Sequence, residues 1–360
     1  MVRTLRLVLA GALTAMATAW LPAQAAPVWA SAVVEAIEVQ VRRDAIPGLS
    51  CAIGVGQDLP FRRGFGLADL ENEVAATAAT VYRLGSISKP ITAVLTMQLW
   101  EAGQLDLDRD VHELVPEWPA KPWPVTTRLL LAHLGGVRHY LGEAESTHHY
   151  ATQTEALAVF AQDPLLHEPG TRFHYSTYGF NLVAAVVEKV TNQPFAQVVR
   201  ERVAGPSGAS TLQDDDVLRI IRGRAQGYVR VDGKLQNSAL MDGSYKLGGG
   251  GLCCSAEDLV RFTQALLAGK LVKKETLAVM WTPQTLRDGK VSDYALGFRV
   301  GSEGGRRVVS HGGAQSRVST MLYVLPDAQV TVVLLCNLKK VHLQPLAQTI
   351  AGLVAPVGKR

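Results

Sequence analysis

The chain is 360 residues long, 48% hydrophobic and 19% charged, with a formal net charge of +4 that is spread rather than clustered. This is an ordinary globular balance with enough apolar residues for a sizeable core, and it excludes low-complexity and charge-rich tracts. With neither a basic stripe nor a known reading motif, it also excludes a nucleic-acid binder.

Met1–Arg6 carries Arg3 and Arg6, Leu7–Leu21 is uncharged and apolar, and Ala23-Gln24-Ala25 sets small residues at alternate positions. This layout predicts a signal peptide over residues 1–25, cleaved after Ala25, and a periplasmic or secreted mature chain over 26–360. The apolar run is short for a bilayer span of about 20 residues, and Pro22 and Gln24 interrupt it. No cysteine lies near for lipid attachment, and no later run is long enough to cross a bilayer.

Val33, Ile37 and Val41 recur at helical spacing, and Arg42-Arg43 closes an amphipathic helix. Pro47-Gly48 ends it. Leu49–Val55 then reads as a short buried strand, with Phe61–Leu67 as its partner across the Gly56–Pro60 turn. From about 105 to 215 the chain reads as helical, without a strong strand pattern. Ile91–Ala102 comes just before this region, and Thr126–Leu134, Glu155–Ala161 and Asn181–Val190 lie within it. Ser255-Ala-Glu-Asp258 is a capping-box start to a helix that runs towards Leu267. Strand runs return at Ala295–Val300, Arg306–Ser310, Val318–Leu325 and Val330–Cys336. The last is apolar at nearly every position, as a strand covered on both faces would be. Leu343, Leu346, Ile350 and Leu353 mark a closing helix. Strands at both ends with helices between predict one sheet built from both termini, with a mostly helical subdomain inserted.

Ser86-Ile87-Ser88-Lys89 is the chain's one S-x-x-K tetrad. A serine hydroxyl needs a base to act as a nucleophile near neutral pH. Residues three apart on a helix share a face, and a buried lysine loses its proton more readily than one in water. The blander account is a capping serine followed by an exposed lysine. Two further stretches weigh against it. Tyr175-Ser176-Thr177 follows Pro169-Gly170 and precedes an apolar helix, and His311-Gly312-Gly313 sits at the end of one strand run and before another.

In order and separation the trio resembles the S-x-x-K, Y-x-N and K-T-G or H-x-G motifs of serine β-lactamases, D,D-peptidases and related esterases. Leu84–Lys89, His133–Tyr140, His167–Gly170, Tyr175–Tyr178, Gly248–Gly251 and Ser310–Gly313 resemble in particular the mitochondrial serine β-lactamase-like branch. The resemblance implies an α/β (α+β) fold of the β-lactamase/transpeptidase type: an antiparallel sheet flanked by helices, plus the helical subdomain, with the site between them. It also implies an acyl-enzyme route in a metal-independent serine hydrolase. Ser86 would be the nucleophile at a helix N-terminus. Lys89 and Tyr175 would share the acid–base work, in an order left open. The backbone N–H groups of Ser86 and Ala314 would form the oxyanion hole, and Thr177, His311 and Gly313 would contact substrate.

Two departures bear on substrate. Thr177 stands where many β-lactamases have asparagine, although it fits the mitochondrial branch. His311 stands where a lysine often sits, and a neutral imidazole holds a carboxylate less firmly. Both favour a peptidase, amidase or esterase acting on a peptide or small molecule over an efficient β-lactamase. Titration of His311 implies activity that changes between about pH 5.5 and 7.5. The rival class is a penicillin-binding or filament-forming protein with little turnover.

Other features carry less. No H-E-x-x-H occurs, and His148-His149 are chain neighbours that rarely share one ligand geometry, so no metal or other cofactor is expected. No G-x-S-x-G elbow occurs. Gly248–Gly251 reads as a loop near the site, where side chains would crowd a substrate. Cys51, Cys253, Cys254 and Cys336 are too few for a disulfide framework. A Cys51–Cys336 bridge and buried free thiols both remain open.

Overall fold

The computed structural model describes residues 26–142 and 147–355. The expected signal peptide, residues 1–25, lies outside them. A seven-stranded antiparallel sheet forms the centre. Its order from edge to edge is Val74–Ala75, Asp58–Asp69, Gly48–Val55, Val330–Cys336, Val318–Leu325, Arg306–Gln315 and Arg299–Glu303. Both ends of the chain therefore build one sheet.

The middle strands are apolar at nearly every position because each face has its own cover. Leu49, Cys51, Ile53, Val332 and Leu334 pack with Val33, Ile37, Leu346 and Ile350 of the terminal helices, Ala30–Arg43 and Gln344–Val354. Ala52, Val333 and Leu335 point the other way, into the larger core with Leu259 and Val260 of helix Ala256–Leu267. Successive side chains on a strand face opposite sides. Gly54 lets that helix come close, since a Cβ there would stand 2.6 Å from Val260 Cγ1. The helix begins as expected, with Ser255 Oγ accepting from Asp258 N at 3.3 Å.

Two long helices lie deep in the larger core, Ser88–Glu101 and Thr177–Thr191. Ser88 through Met97 is buried without a break, as is Thr177 through Glu188, so neither shows an alternating apolar face. A small sheet of Val81–Arg83, Leu252–Ser255 and Gln213–Asp214 anchors the segment leading into the first of them.

Two expectations change, and the open question of the cysteines is answered. The apolar run Ala295–Val300 is mostly not strand: the strand is Arg299–Glu303, and Tyr294–Phe298 is a buried turn wedged into the core. Gly297, at φ +83°, would carry a Cβ 2.4 Å from that of Ala93. His311-Gly-Gly is not a strand end, because Arg306–Gln315 runs straight through it. The four thiols are free and buried. Cys51 faces Leu334 and Cys336 faces Leu49 across neighbouring strands, so the two sulfurs are diagonal neighbours. At about 7–8 Å, that Cα spacing exceeds the reach of a disulfide.

Asn337 closes the sheet at the end of Val330–Cys336. It is fully buried. Its Oδ1 accepts from Gly48 N at 2.7 Å, and its Nδ2 donates to Leu67 O at 3.0 Å and Ala68 O at 3.3 Å. Truncation strands these backbone groups away from water, so Asn337→Ala should lower unfolding stability by about 1–3 kcal/mol. Urea titration checks this, and an unchanged midpoint would refute it.

Candidate active site

The nucleophile segment is a tight turn followed by a helix. Gly85 takes φ +55°, a conformation suited to glycine. Gly85–Ile87 forms one 3₁₀ turn, and Ser88–Glu101 continues it as an α-helix. Ser86 thus lies in the turn immediately before the helix N-cap, Ile87, with its Oγ engaged by Lys89, against the blander account.

Lys89 lies beneath it, fully buried. Its Nζ lies 3.1 Å from Ser86 Oγ, 3.2 Å from Thr177 Oγ1 and 2.7 Å from Gly249 O, with the Tyr175 ring centre 4.7 Å away. Burial, followed by repulsion from Lys246, holds its proton affinity well below the usual lysine value. In the amine form, two N–H bonds serve Thr177 and Gly249 and the lone pair faces Ser86. The Ser86 hydroxyl also hydrogen-bonds the Tyr175 phenol, and burial pushes that phenol up to about 12.

The Tyr175 turn is positioned by a segment that carries none of the expected site residues. His133 Nδ1 accepts from Ser176 N at 3.1 Å, His139 Nδ1 accepts from Thr177 N at 3.1 Å, and Ser176 Oγ donates to Arg138 O at 2.7 Å. Ser176 Oγ also caps helix Thr177–Thr191 by accepting from Gly179 N at 2.9 Å. The His133 ring sits 4.3 Å from Tyr175 and 4.6 Å from Tyr294, centre to centre.

The third wall is strand Arg306–Gln315. Its pleat exposes Gly312 and Ala314 and turns His311 and Gly313 inward. A Cβ on Gly313 would stand 2.1 Å from Thr320 Oγ1, 2.2 Å from Leu84 O and 3.2 Å from Ser86 N. One on Gly85 would stand 3.1 Å from Ala314 N. The nucleophile turn and this strand therefore meet backbone to backbone, with the N–H groups of Ser86 and Ala314 beside the seam. Thr320 Oγ1 donates to Leu84 O at 2.7 Å and holds it closed.

His311 is buried behind the strand. Its Nδ1 lies 2.7 Å from Gly312 O, which can only accept, so Nδ1 carries the proton. Nε2 then accepts from Tyr294 Oη at 2.9 Å. Burial, followed by the charge on Lys89, lowers His311 to about 3. This corrects the expectation of a His311 titration near neutrality: both ring nitrogens are engaged and the imidazole stays neutral.

An open cleft of about 510 Å³ joins these walls, lined by Ser86, Tyr175, Thr177, Lys246, Gly313 and Ala314 among others. Of the expected site residues, Ser86, Lys89, Tyr175 and Thr177 meet at one point, Gly313 and Ala314 border it, and His311 stands behind. Gly248–Gly251 lies at the site as expected, with Gly249 and Gly250 lining the cleft, but it is not a loop. Leu247–Gly250 is a short helix, and Cβ atoms on Gly248 and Gly249 would strike Phe180 O at 2.6 Å and Thr177 Cγ2 at 2.5 Å. These two glycines serve helix packing, which delivers the Gly249 carbonyl to Lys89. His133, His139, Tyr294 and Lys246 were missed. The first two sit inside a stretch quoted for its resemblance, while Tyr294 and Lys246 carry no spacing signal. Among the described residues no cluster suited to a metal ion occurs. His149 instead pairs with Asp242 at 2.8 Å.

Two outcomes follow. Gly313→Ala should part the seam and reduce turnover by about 10²–10³-fold, the loss typical of one oxyanion donor. Steady-state kinetics on variant protein with a native circular dichroism spectrum checks this. The imidazoles of His133 and His311 are both lowered by burial. They refuse protons that the unfolded chain accepts, so stability should fall as pH drops from about 6.5 towards 3. Melting curves should show His311→Gln flattening that decline, and an equally steep decline in the variant would count against it.

A family model described as Beta-lactamase matches residues 33–354. The human mitochondrial serine beta-lactamase-like protein LACTB is 29% identical, over 85% of this chain and 76% of its own length. The octameric penicillin-binding protein homologue from Pyrococcus abyssi superimposes with a TM-score of 0.79 at 25% identity, covering 90% of this chain and 77% of that one. A D-stereospecific amidohydrolase from Streptomyces sp. shares the fold at a TM-score of 0.76 and 23% identity, over 91% of this chain and 98% of that one.

Proposed function

The chain belongs to the beta-lactamase family, and we propose that within it this protein cleaves amide or ester bonds through an acyl-enzyme on Ser86, with D-amino-acid peptides and amides as preferred substrates. The observation that carries the reading is the convergence of Ser86 Oγ, the buried Lys89 amine and the Tyr175 phenol in one cleft.

In this reading Lys89 is the first base, because the raised Tyr175 keeps its proton at neutral pH. Ser86 Oγ bonds to the carbonyl carbon while its proton passes to Lys89. The carbonyl oxygen takes up negative charge between the N–H groups of Ser86 and Ala314. Tyr175 protonates the leaving nitrogen or oxygen and is reprotonated from Lys89, so the serine's proton departs with the leaving group. Water then adds to the acyl carbon, gives a proton to Lys89, and Ser86 leaves with a proton restored. Thr177 and the edge at Gly313 and Ala314 flank the substrate.

His311, neutral and bonded to Tyr294, offers no cation from the strand to a substrate carboxylate. That favours amides and esters over penicillins. The preference for D-residues draws on the name of the Streptomyces neighbour. Export is part of the proposal, on the layout of Met1–Ala25.

Intact-mass measurement of protein made with its own leader, after exposure to a fluorophosphonate, tests these points together. We expect a chain starting at Ala26 with one adduct, absent from Ser86→Ala, and hydrolysis of D-amino-acid amides and simple esters well above that of penicillin. No adduct on folded wild-type protein would discard the hydrolase mechanism in favour of a binding role, and a retained leader would discard export.

A further inference from the structure

Strand Arg306–Gln315 has a neighbour on both sides for only half its length. Arg299–Glu303 pairs with it from Arg306 to Ser310, whereas Val318–Leu325 pairs with it from Val309 to Gln315. From His311 onward the outer edge therefore has no partner strand among the described residues. This is the stretch that holds Gly313 and Ala314. Arg299 lies opposite Ser310, so the residues before Arg299 would continue the antiparallel pairing along that edge. They turn away instead. Tyr294–Phe298 folds into the core, with Leu296 N bonded to Met280 O and Gly297 N to Leu131 O, both at 3.0 Å.

This wedge returns one side chain to the strand it abandons. Tyr294 is fully buried, and its Oη donates to His311 Nε2 at 2.9 Å. His311 Nδ1 in turn donates to Gly312 O at 2.7 Å. The direction of both bonds is fixed from the far end. A carbonyl only accepts, so Nδ1 holds the imidazole proton and Nε2 is left as the acceptor for the phenol. The two rings stand edge to face, 5.8 Å between centres. Ala314 follows two residues after Gly312, and Gly313 between them packs against Leu84 O and Ser86 N.

We propose that Tyr294 and His311 are positioning residues for acylation: their hydrogen-bonded chain stands in for the missing strand, fixes the Gly312 carbonyl, and so aims the Ala314 N–H at the oxygen of the reacting carbonyl. The inference rests on the reading of Ser86 and the oxyanion site given above. An edge with unpaired backbone groups is free to shift or to take up a foreign strand. Two glycines in succession loosen it further, because glycine has the most backbone freedom. A side-chain bond to the carbonyl restrains the edge from behind and leaves its front to the substrate. The far end of the chain is set by the wedge, whose bonds run to the helical side of the molecule. Ala314 N–H is thereby held in register with Ser86 from both halves of the fold. A donor placed before charge develops need not reorganise during the reaction.

The test uses phenylboronic acid, which bonds to a reactive serine oxygen and sets a boron hydroxyl where the oxyanion would lie. Calorimetry on the mature chain should show its affinity falling about tenfold in Tyr294→Phe and in His311→Leu. That is less than the 10²–10³-fold loss of a deleted donor, because Ala314 N–H is misaimed rather than removed. His311→Gln keeps one donor for Gly312 O and one acceptor for Tyr294, and should stay within about threefold of wild type. The Ala314 amide resonance, read by NMR without ligand, should move in Tyr294→Phe and return towards wild type in His311→Gln. Tyr294→Phe carries the test alone should His311→Leu fold poorly. Unchanged boronate affinity in folded Tyr294→Phe would overturn the inference, as would His311→Gln binding as weakly as His311→Leu. A wild type that takes up neither boronate nor fluorophosphonate would remove the hydrolase reading. The strut would then stand or fall on whether the Ala314 resonance moves in Tyr294→Phe.

Discussion

The arrangement depends on one side chain that is costly to bury, Lys89. A lysine nitrogen taken fully out of water is tolerable only if its hydrogen-bonding capacity is met or its charge is given up. Here the nitrogen is met from three directions, by its own turn, by helix Thr177–Thr191 and by the Gly249 carbonyl. Those contacts come from segments widely separated in the chain. Satisfying the nitrogen therefore requires the sheet side and the helical side of the molecule to be docked, and the docked state is the one that forms the cleft. The same burial makes the lysine a usable base.

Glycine supplies the close approaches that this docking needs. Gly248 and Gly249 let a short helix lie against Thr177–Thr191, and Gly85 and Gly313 let the nucleophile turn lie against a sheet strand. At Gly248, Gly249 and Gly313 a methyl group would meet backbone or a packed side chain at a distance no side chain occupies, and at Gly85, where φ is positive, it would crowd Ala314 N at 3.1 Å. The resulting geometry is set by main-chain contact rather than by flexible side chains. Groups intended for developing charge benefit from such rigidity, because they need not reorganise during the reaction.

The neutral histidines belong to the same pattern. His133 and His311 are acceptors whose second nitrogens face protein, and burial keeps both uncharged. His133 and His139 fix the tyrosine turn through main-chain N–H groups, and His311 anchors Tyr294 behind the catalytic strand. Histidine thus acts here as scaffolding for the Ser86–Lys89–Tyr175 cluster.

Sequence alone determined the parts whose signal is local. The terminal helix at Val33, Ile37 and Val41, the doubly covered strand Val330–Cys336 and the Ser255 cap each follow from a periodicity or a capping pattern over a few residues. So does the chemical set Ser86, Lys89 and Tyr175, because the spacing of S-x-x-K and the residues around Tyr175 are local as well. Tertiary structure decided whatever depends on what a residue packs against. Tyr294–Phe298 is as apolar as a strand but forms a wedge, since apolarity reports burial and not backbone direction. His311 sits in a motif that suggests substrate contact, yet the pleat turns it inward to Tyr294. Lys246 has no neighbour in sequence that marks it, and only the assembled fold places it in the wall of the cleft. Long-range electrostatics and backbone-to-backbone approach are properties of the assembled fold, and no window of sequence contains them.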